Sequence, residues 1–438
     1  MKTRAHRSPQ PKRHPAGRIP GLLAPLSLLP LAGAPFAGAQ AFDINDQFSI
    51  GGIIAAAGQC QDVSARLPGE GYGTAIEDSD PLEYNTDLDQ FGNECRGGMP
   101  VQIEMDFRPN SANQFFIALG WAVDNALNTE SPFRLAPWAA DLEDDVEDIN
   151  GRGRDYLLQA WYKHTVALAD DNSIGASFGI LDSTAYLDHN EYANDEYTQF
   201  MNEAFVNAGN YNLPSYDAGI AVEMAFGDLS FNAVGMNIGE NDDGNNYNFW
   251  GAQIGWHPQL QMGQGNYRVN ITGTSAEFLG PTRFVAPDVD PDAEQDLVLI
   301  NGQARAGIAS TKRESLLGWG LSFDQAVGQH LGLFLRLSWQ NTDAAVDYEA
   351  LYSGGIDISG GAWQRPDDNI GLGFAYLEGG NADVRNTSVF EGYYRASIND
   401  HLAITADIQY LSDDLVQFDP QQEDPSGWIF GLRATAEF

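Results

Sequence analysis

The sequence predicts an all-β protein, a transmembrane antiparallel β-barrel of about 16 strands with an aqueous lumen and long acidic external loops. Three observations predict it. Apolar and polar residues alternate with period two in run after run; short turns and long acidic, Asn- and Pro-rich stretches separate those runs; and the chain ends in an alternating strand that stops on Phe438. Composition removes the competitors. At 43% hydrophobic and 11% aromatic, the chain is too polar for a bundle of membrane helices and too aromatic for disorder. No apolar run reaches the roughly 18 residues a membrane helix requires. A net charge of -38 excludes a nucleic-acid binder, because phosphates need a basic surface.

The first element is residues 1–39. Six basic residues (Lys2, Arg4, Arg7, Lys12, Arg13, Arg18) and no acid precede or flank a Leu/Ala-rich stretch at 19–34, followed by Ala37-Gly38-Ala39. That order predicts a secretory signal peptide cleaved after Ala39 or, one register on, after Ala41; a basic, Pro-rich tail is the competing reading. The barrel is then residues 40–438, acidic throughout, with Lys163 and Lys312 its only lysines. Export to an oxidising compartment predicts that Cys60 and Cys95 pair as a structural disulfide. Two thiols without a histidine cluster make a poor zinc site, and no metal or cofactor is expected.

The strands follow in order. Met99, Val101, Ile103, Met105 and Phe107 alternate with Gln102, Glu104, Asp106 and Arg108, which sorts them onto two faces of a strand and scatters them around a helix. The pattern recurs from Ile174, Ile220, Tyr267, Leu317, Leu331, Ile370 and Leu402. A short helix is expected only at 197–207. Tight turns are signalled by Phe226-Gly227-Asp228-Leu229, Ala326-Val327-Gly328-Gln329 and Ile398-Asn399-Asp400-His401, and long polar loops at 141–148, 239–246 and 287–296. Short turns at one end and long loops at the other match an outer-membrane barrel. Alternation alone also fits a soluble sandwich, but the final strand discriminates: Trp428, Phe430, Leu432, Ala434, Ala436 and Phe438 share one face. A closing amphipathic strand with a terminal aromatic is the expected signal for the barrel assembly machinery, and Trp250, Trp256, Trp339, Tyr410 and Trp428 are expected in the interfacial girdles. Removing 39 of 438 residues leaves 399, which suits 14 to 18 strands of about 10 residues.

Because the outer face must be apolar, strand charges are expected to face inward. The lumen candidates are Glu104, Arg108, Trp161, Lys163, Glu223, Arg268, Arg336, Glu391, Arg395, Asp407 and Arg433. The five arginines are expected in lumen water, facing Glu104, Glu223, Glu391 and Asp407. Guanidinium forks and carboxylates bracket vicinal hydroxyls, and a flat aromatic contacts the apolar face of a sugar ring. The same residues also fit a wet, unselective pore.

The stretch FGILDSTAYLDHNEYANDEYTQFMN (residues 178–202) resembles the OprB-type carbohydrate-selective porins of Gram-negative outer membranes. DDNIGLGFAYLEGGN (367–381), EGYYRASINDHLAITADIQYL (391–411) and GWIFGLRATAEF (427–438) are similar to the closing strands of that family. The resemblance covers residues 155–438. It implies a 16-stranded barrel in the outer membrane that passes mono- or oligosaccharides by facilitated diffusion, with sugars, outer-membrane lipid and lipopolysaccharide as partners. Asp182, Asp188, Asn190, Asn194, Asp195 and Glu196 fall in the first motif, in a loop by the family pattern; whether that loop narrows the lumen is left open. A homotrimer is compatible with the sequence and is not specified by it. The extreme acidity departs from the family, and makes a general or cation-selective porin the alternative reading.

No enzyme is expected. His189 lies near Ser183 and Asp182 in sequence, but a triad is defined by geometry, and neither a G-x-S-x-G elbow nor an H-E-x-x-H pair is present. The acidic run at 141–148 lacks the spaced ligands of a calcium loop.

Overall fold

The computed structural model describes residues 42–69, 72, 85–140, 142, 146–169, 172–285, 296–300 and 303–438. The predicted signal segment, part of the 141–148 run and all but Asp296 of the 287–296 run lie outside them. Sixteen antiparallel strands form a closed barrel. In chain order they are β1 (Phe48–Pro68), β2 (Val101–Asn110), β3 (Asn113–Trp121), β4 (Leu157–Ala167), β5 (Ser173–Leu181), β6 (Asp217–Phe226), β7 (Leu229–Ile238) and β8 (Tyr247–Trp256). There follow β9 (Gly263–Thr274), β10 (Leu317–Val327), β11 (Leu331–Gln340), β12 (Tyr348–Ser359), β13 (Asn369–Gly379), β14 (Val384–Asn399), β15 (Leu402–Leu415) and β16 (Glu423–Glu437). Each pairs with the next, and β16 pairs with β1 from Ile53↔Glu437 to Arg66↔Glu423, so the sheet has no free edge. Closure is what satisfies every strand's backbone groups in lipid.

The period-two pattern fixes which way the wall faces. On β15, Leu402, Ile404 and Tyr410 are exposed, while Ala403, Thr405, Asp407 and Gln409 are buried. Outward aromatics stack across neighbouring strands in two belts. Trp319–Trp339 (4.3 Å), Trp339–Tyr352 (5.9 Å) and Tyr410–Trp428 (5.0 Å) mark one; Phe115–Tyr162 (4.9 Å), Trp256–Tyr267 (5.6 Å) and Tyr267–Phe323 (5.6 Å) mark the other. Amphipathic rings favour the two interfaces of a bilayer, so the belts bracket its hydrocarbon.

Short turns join the strands at one end, which also carries the first residues of β1 and the last of β16. The β6–β7 turn runs from Phe226 to Leu229, paired directly, with Gly227 at φ 56°, where a side chain would be strained. The other end carries the longest connections, L1 (69–100), L2 (122–156), L3 (182–216) and L5 (275–316), together with the shorter L4 (239–246), L6 (341–347), L7 (380–383) and L8 (416–422). In L1 a short strand, Glu94–Gly98, lies along the outer half of β1 and sets Cys95 opposite Cys60, to which it is joined. The helix expected at 197–207 is only the single turn Glu203–Val206, capped by Asn202, because the amides of Met201 and Asn202 just before it bond to Glu391 on the barrel wall.

Candidate functional site in the lumen

L3 turns inward and fills much of the lumen. Its backbone is held by wall side chains rather than by helix or sheet. Arg336 on β11, fully buried, donates from Nη1 to Phe205 O (2.8 Å) and from Nη2 to Ala193 O (2.9 Å), and its Nε lies 2.9 Å from Asp188 Oδ2. Arg433 on β16, also fully buried, donates to Glu196 O (2.7 Å) and Gln199 O (2.8 Å). Glu391 on β14 accepts from the amides of Met201 (2.5 Å) and Asn202 (3.0 Å). Asp324 on β10 accepts from Glu191 N (3.2 Å) and from Arg268 Nη1 on β9 (2.6 Å). An irregular segment cannot be buried unless its carbonyls and amides find such partners.

The motif residues brace this loop. Asp182 accepts from Thr184 N and Ser215 Oγ, and burial pushes its carboxyl up. Asp188 accepts from Ala208 N (2.8 Å), and Asn190 donates to Ser322 Oγ (3.2 Å). Asp195 caps Tyr197 N (2.8 Å), the amide of Asn194 donates to Gln199 Oε1 (2.8 Å), and the Glu196 carbonyl accepts from Trp138 and Arg433. His189 donates from Nε2 to Ala185 O (2.9 Å) and accepts at Nδ1 from Gln253, so its ring does not engage Ser183. Burial first, and the nearby Arg268 guanidinium second, hold His189 down to about 4. Apolar contacts complete the seat: Phe200 meets Phe205 (4.8 Å), Phe334 (5.4 Å) and Tyr393 (5.0 Å). Gly373 on the inner wall makes room, since a Cβ there would lie 2.7 Å from Phe205 Cε1.

L2 folds in beside L3. Gln59 and Gln409 both donate to Pro137 O (3.1 and 2.9 Å), Ala139 N donates to Met201 O (2.8 Å), and the buried Trp138 donates its indole N–H to Glu196 O (3.0 Å). The sequence carried a signal for neither Pro137 nor Trp138. Asp324 is legible from the parity of β10, which turns it inward.

Several expectations are corrected. Arg336 and Arg433 face inward but stand out of water, spent on loop carbonyls. Four of the five arginines also pair with other acids than expected: Arg108 with Asp106 (2.7 Å), Arg268 with Asp324, Arg336 with Asp188 and Arg395 with Glu437 (3.1 Å). Glu223 takes Lys163 as partner (2.5 Å), and Glu391 takes the L3 amides. Glu104 and Asp407 are inward and buried. Trp161 is inward, yet buried against Phe116 (4.9 Å, stacked), so it offers no free face to a sugar. For Arg336, Glu391 and Arg433 the reason is shared: a loop that enters the lumen covers the polar wall it bonds to.

A family model described as carbohydrate-selective porin, OprB family, matches residues 144–438. The chain belongs to the OprB family. A protein of Aquifex aeolicus, described only as uncharacterized, is 28% identical over 329 residues, 73% of this chain and 85% of that one. Among solved structures, the high-pH form of Pseudomonas putida OprB shares the fold at a TM-score of 0.58 and 16% identity, over 90% of this chain and 94% of that one. The outer membrane channel DcaP of Acinetobacter baumannii gives a TM-score of 0.49 at 10% identity, over 91% and 99% of the two chains. As an OprB porin, the chain is an outer-membrane channel for sugars rather than an enzyme.

Proposed function

We propose that sugars cross by facilitated diffusion beside L2 and L3, along the wall of β2 to β6, whose inner face carries the exposed Arg108 and the buried Glu104, Asp106, Lys163 and Glu223. The observation that carries this reading is the pairing of those charges, Lys163 with Glu223 and Arg108 with Asp106. A wall whose charges are neutralised in pairs holds neither cation nor anion, and the exposed Arg108 guanidinium offers donors to a polyol. Binding must be weak, because a tight site slows exit and defeats conduction. Residues 1–39 direct export, Phe438 serves the barrel assembly machinery, Cys60–Cys95 ties L1 to β1, and lipopolysaccharide contacts the long-loop belt. Assembly as a homotrimer is tested by crosslinking in the membrane.

The test of transport is single-channel recording in planar bilayers with sugars titrated in. Sugars are expected to block ion current saturably with millimolar affinity, about -4 kcal/mol. Alanine at Lys163 and Glu223 together should weaken that block while the barrel still assembles. Ion current untouched by any sugar would sink the reading.

A further inference from the structure

Below L3, at the short-turn end, lies a cavity of about 300 Å³. Thr198 and Gln199 of L3 form its roof; the ends of β13, β14 and β16 form its walls. That volume is at the lower limit of small-molecule sites and admits a single sugar ring. The roof is fixed: Thr198 Oγ1 donates to Asp195 (2.5 Å), and the amide side chain of Gln199 is bonded to Asn194 N and Glu191 O. On the wall, Arg395 and Glu437 are paired at 3.1 Å, no described group accepts from Arg395 Nε, and Asn369 and Ser397 stand beside them.

The charge in this cavity is one-sided. Asp367, Asp400 and Glu437 supply three carboxylates against the guanidinium of Arg395, which already faces Glu437, and the ring of His401, whose Nδ1 donates to the Glu437 carbonyl (3.0 Å). No unpaired cation is left to receive a phosphate or a carboxylate. Guanidinium N–H groups, carboxylate oxygens, a hydroxyl and an amide in one cleft do suit the hydroxyls of a sugar. We infer that this cavity is a turn-side subsite on the sugar path, one that holds neutral sugars and rejects acidic ones. It lies apart from the β2–β6 lining and rests on the reading of the chain as a sugar channel.

The experiment uses the full barrel in planar bilayers, with orientation assigned by a thiol reagent on Asp228→Cys in the β6–β7 turn. Glucose and glucuronate are added to one compartment at a time. Glucose from the turn side is expected to block, and glucuronate to block at least tenfold more weakly. Arg395→Gln combined with Ser397→Ala should weaken the turn-side glucose block about tenfold, a change of 1.4 kcal/mol, with open-channel conductance kept. In Ser397→Cys, glucose should slow modification by a cationic thiol reagent applied from the turn side. Equal block by the two sugars, or turn-side block unchanged in the double variant with no protection of Cys at 397, overturns the subsite. Permeation and block by glucose that respond only to the Lys163 and Glu223 changes would overturn the subsite and keep the channel. Absence of block or permeation from either side would bring down both.

Discussion

Arg336 shows how much one side chain can decide. Its guanidinium is fully buried and bonded to the L3 carbonyls of Ala193, before the helical turn, and Phe205, within it, beside the Asp188 carboxylate. Replacing it with alanine strands those carbonyls and leaves Asp188 without its countercharge, a loss of about 3–5 kcal/mol for a buried pair. Because the barrel's ladder is untouched, the loss falls on the seating of L3. We expect Arg336→Ala to assemble, to conduct more and with larger current noise, and to expose L3 to protease; unchanged conductance and protection would refute the latch. His189 adds a pH dependence of known sign. Its folded value, about 4, lies below the ordinary 6.5, so the seated loop prefers the neutral ring. Stabilisation from this group is complete above about 6.5, falls as pH drops, and is spent by about 4. Loop protection measured across that window should decline with acid in the wild type and less steeply in His189→Asn.

The strands were legible because period two is imposed twice, by lipid outside and polar groups inside. Inward Arg336, Glu391 and Arg433 followed from that parity alone. The inserted loops were not legible in the same way. Phe200, Met201, Ala204, Phe205 and Val206 have helix-like spacing, and only the wall shows that Phe200, Ala204 and Phe205 cluster with Phe334 and Tyr393 while Met201 packs with Ile53 and Trp138. The clue was the apolar density itself, since an exposed loop has no reason to carry it. L2 gave less, because Pro137 and Trp138 act through a carbonyl and one indole N–H, and no motif announces either. The acidic loop runs at 141–148 and 287–296 remain an element-level expectation. Neutralising both should lower cation preference at low salt and change little near 1 M, where the Debye length is about 3 Å. Reversal potentials measured at the two salt concentrations check this, and equal shifts at both would count against a loop-borne effect.

At the scale of the molecule, the seam between β1 and β16 makes the barrel cooperative. The Phe438 backbone exchanges hydrogen bonds with Gly52 (2.9 and 3.1 Å), so the ladder extends to that residue. Phe438→Asp should reduce the yield of assembled, heat-modifiable barrel in the outer membrane without producing a folded soluble form, checked by fractionation and detergent gels with and without heating. A water-soluble, folded monomer would contradict the membrane barrel. The same closed ladder explains why variants in the lumen can be read for transport at all: the wall does not depend on them.

L3 also has a mechanical meaning. A hollow sheet of sixteen strands resists flattening only by bending its own wall. L3 crosses the bore as a tie-rod, fastened at Asn270 and Gln253 on one side, at Arg336 and Glu391 further round, and at Arg433 beside the seam. Lateral pressure that ovalises the cylinder must stretch or slacken those fastenings. A change in the shape of the bore is therefore carried to L3 through these fastenings.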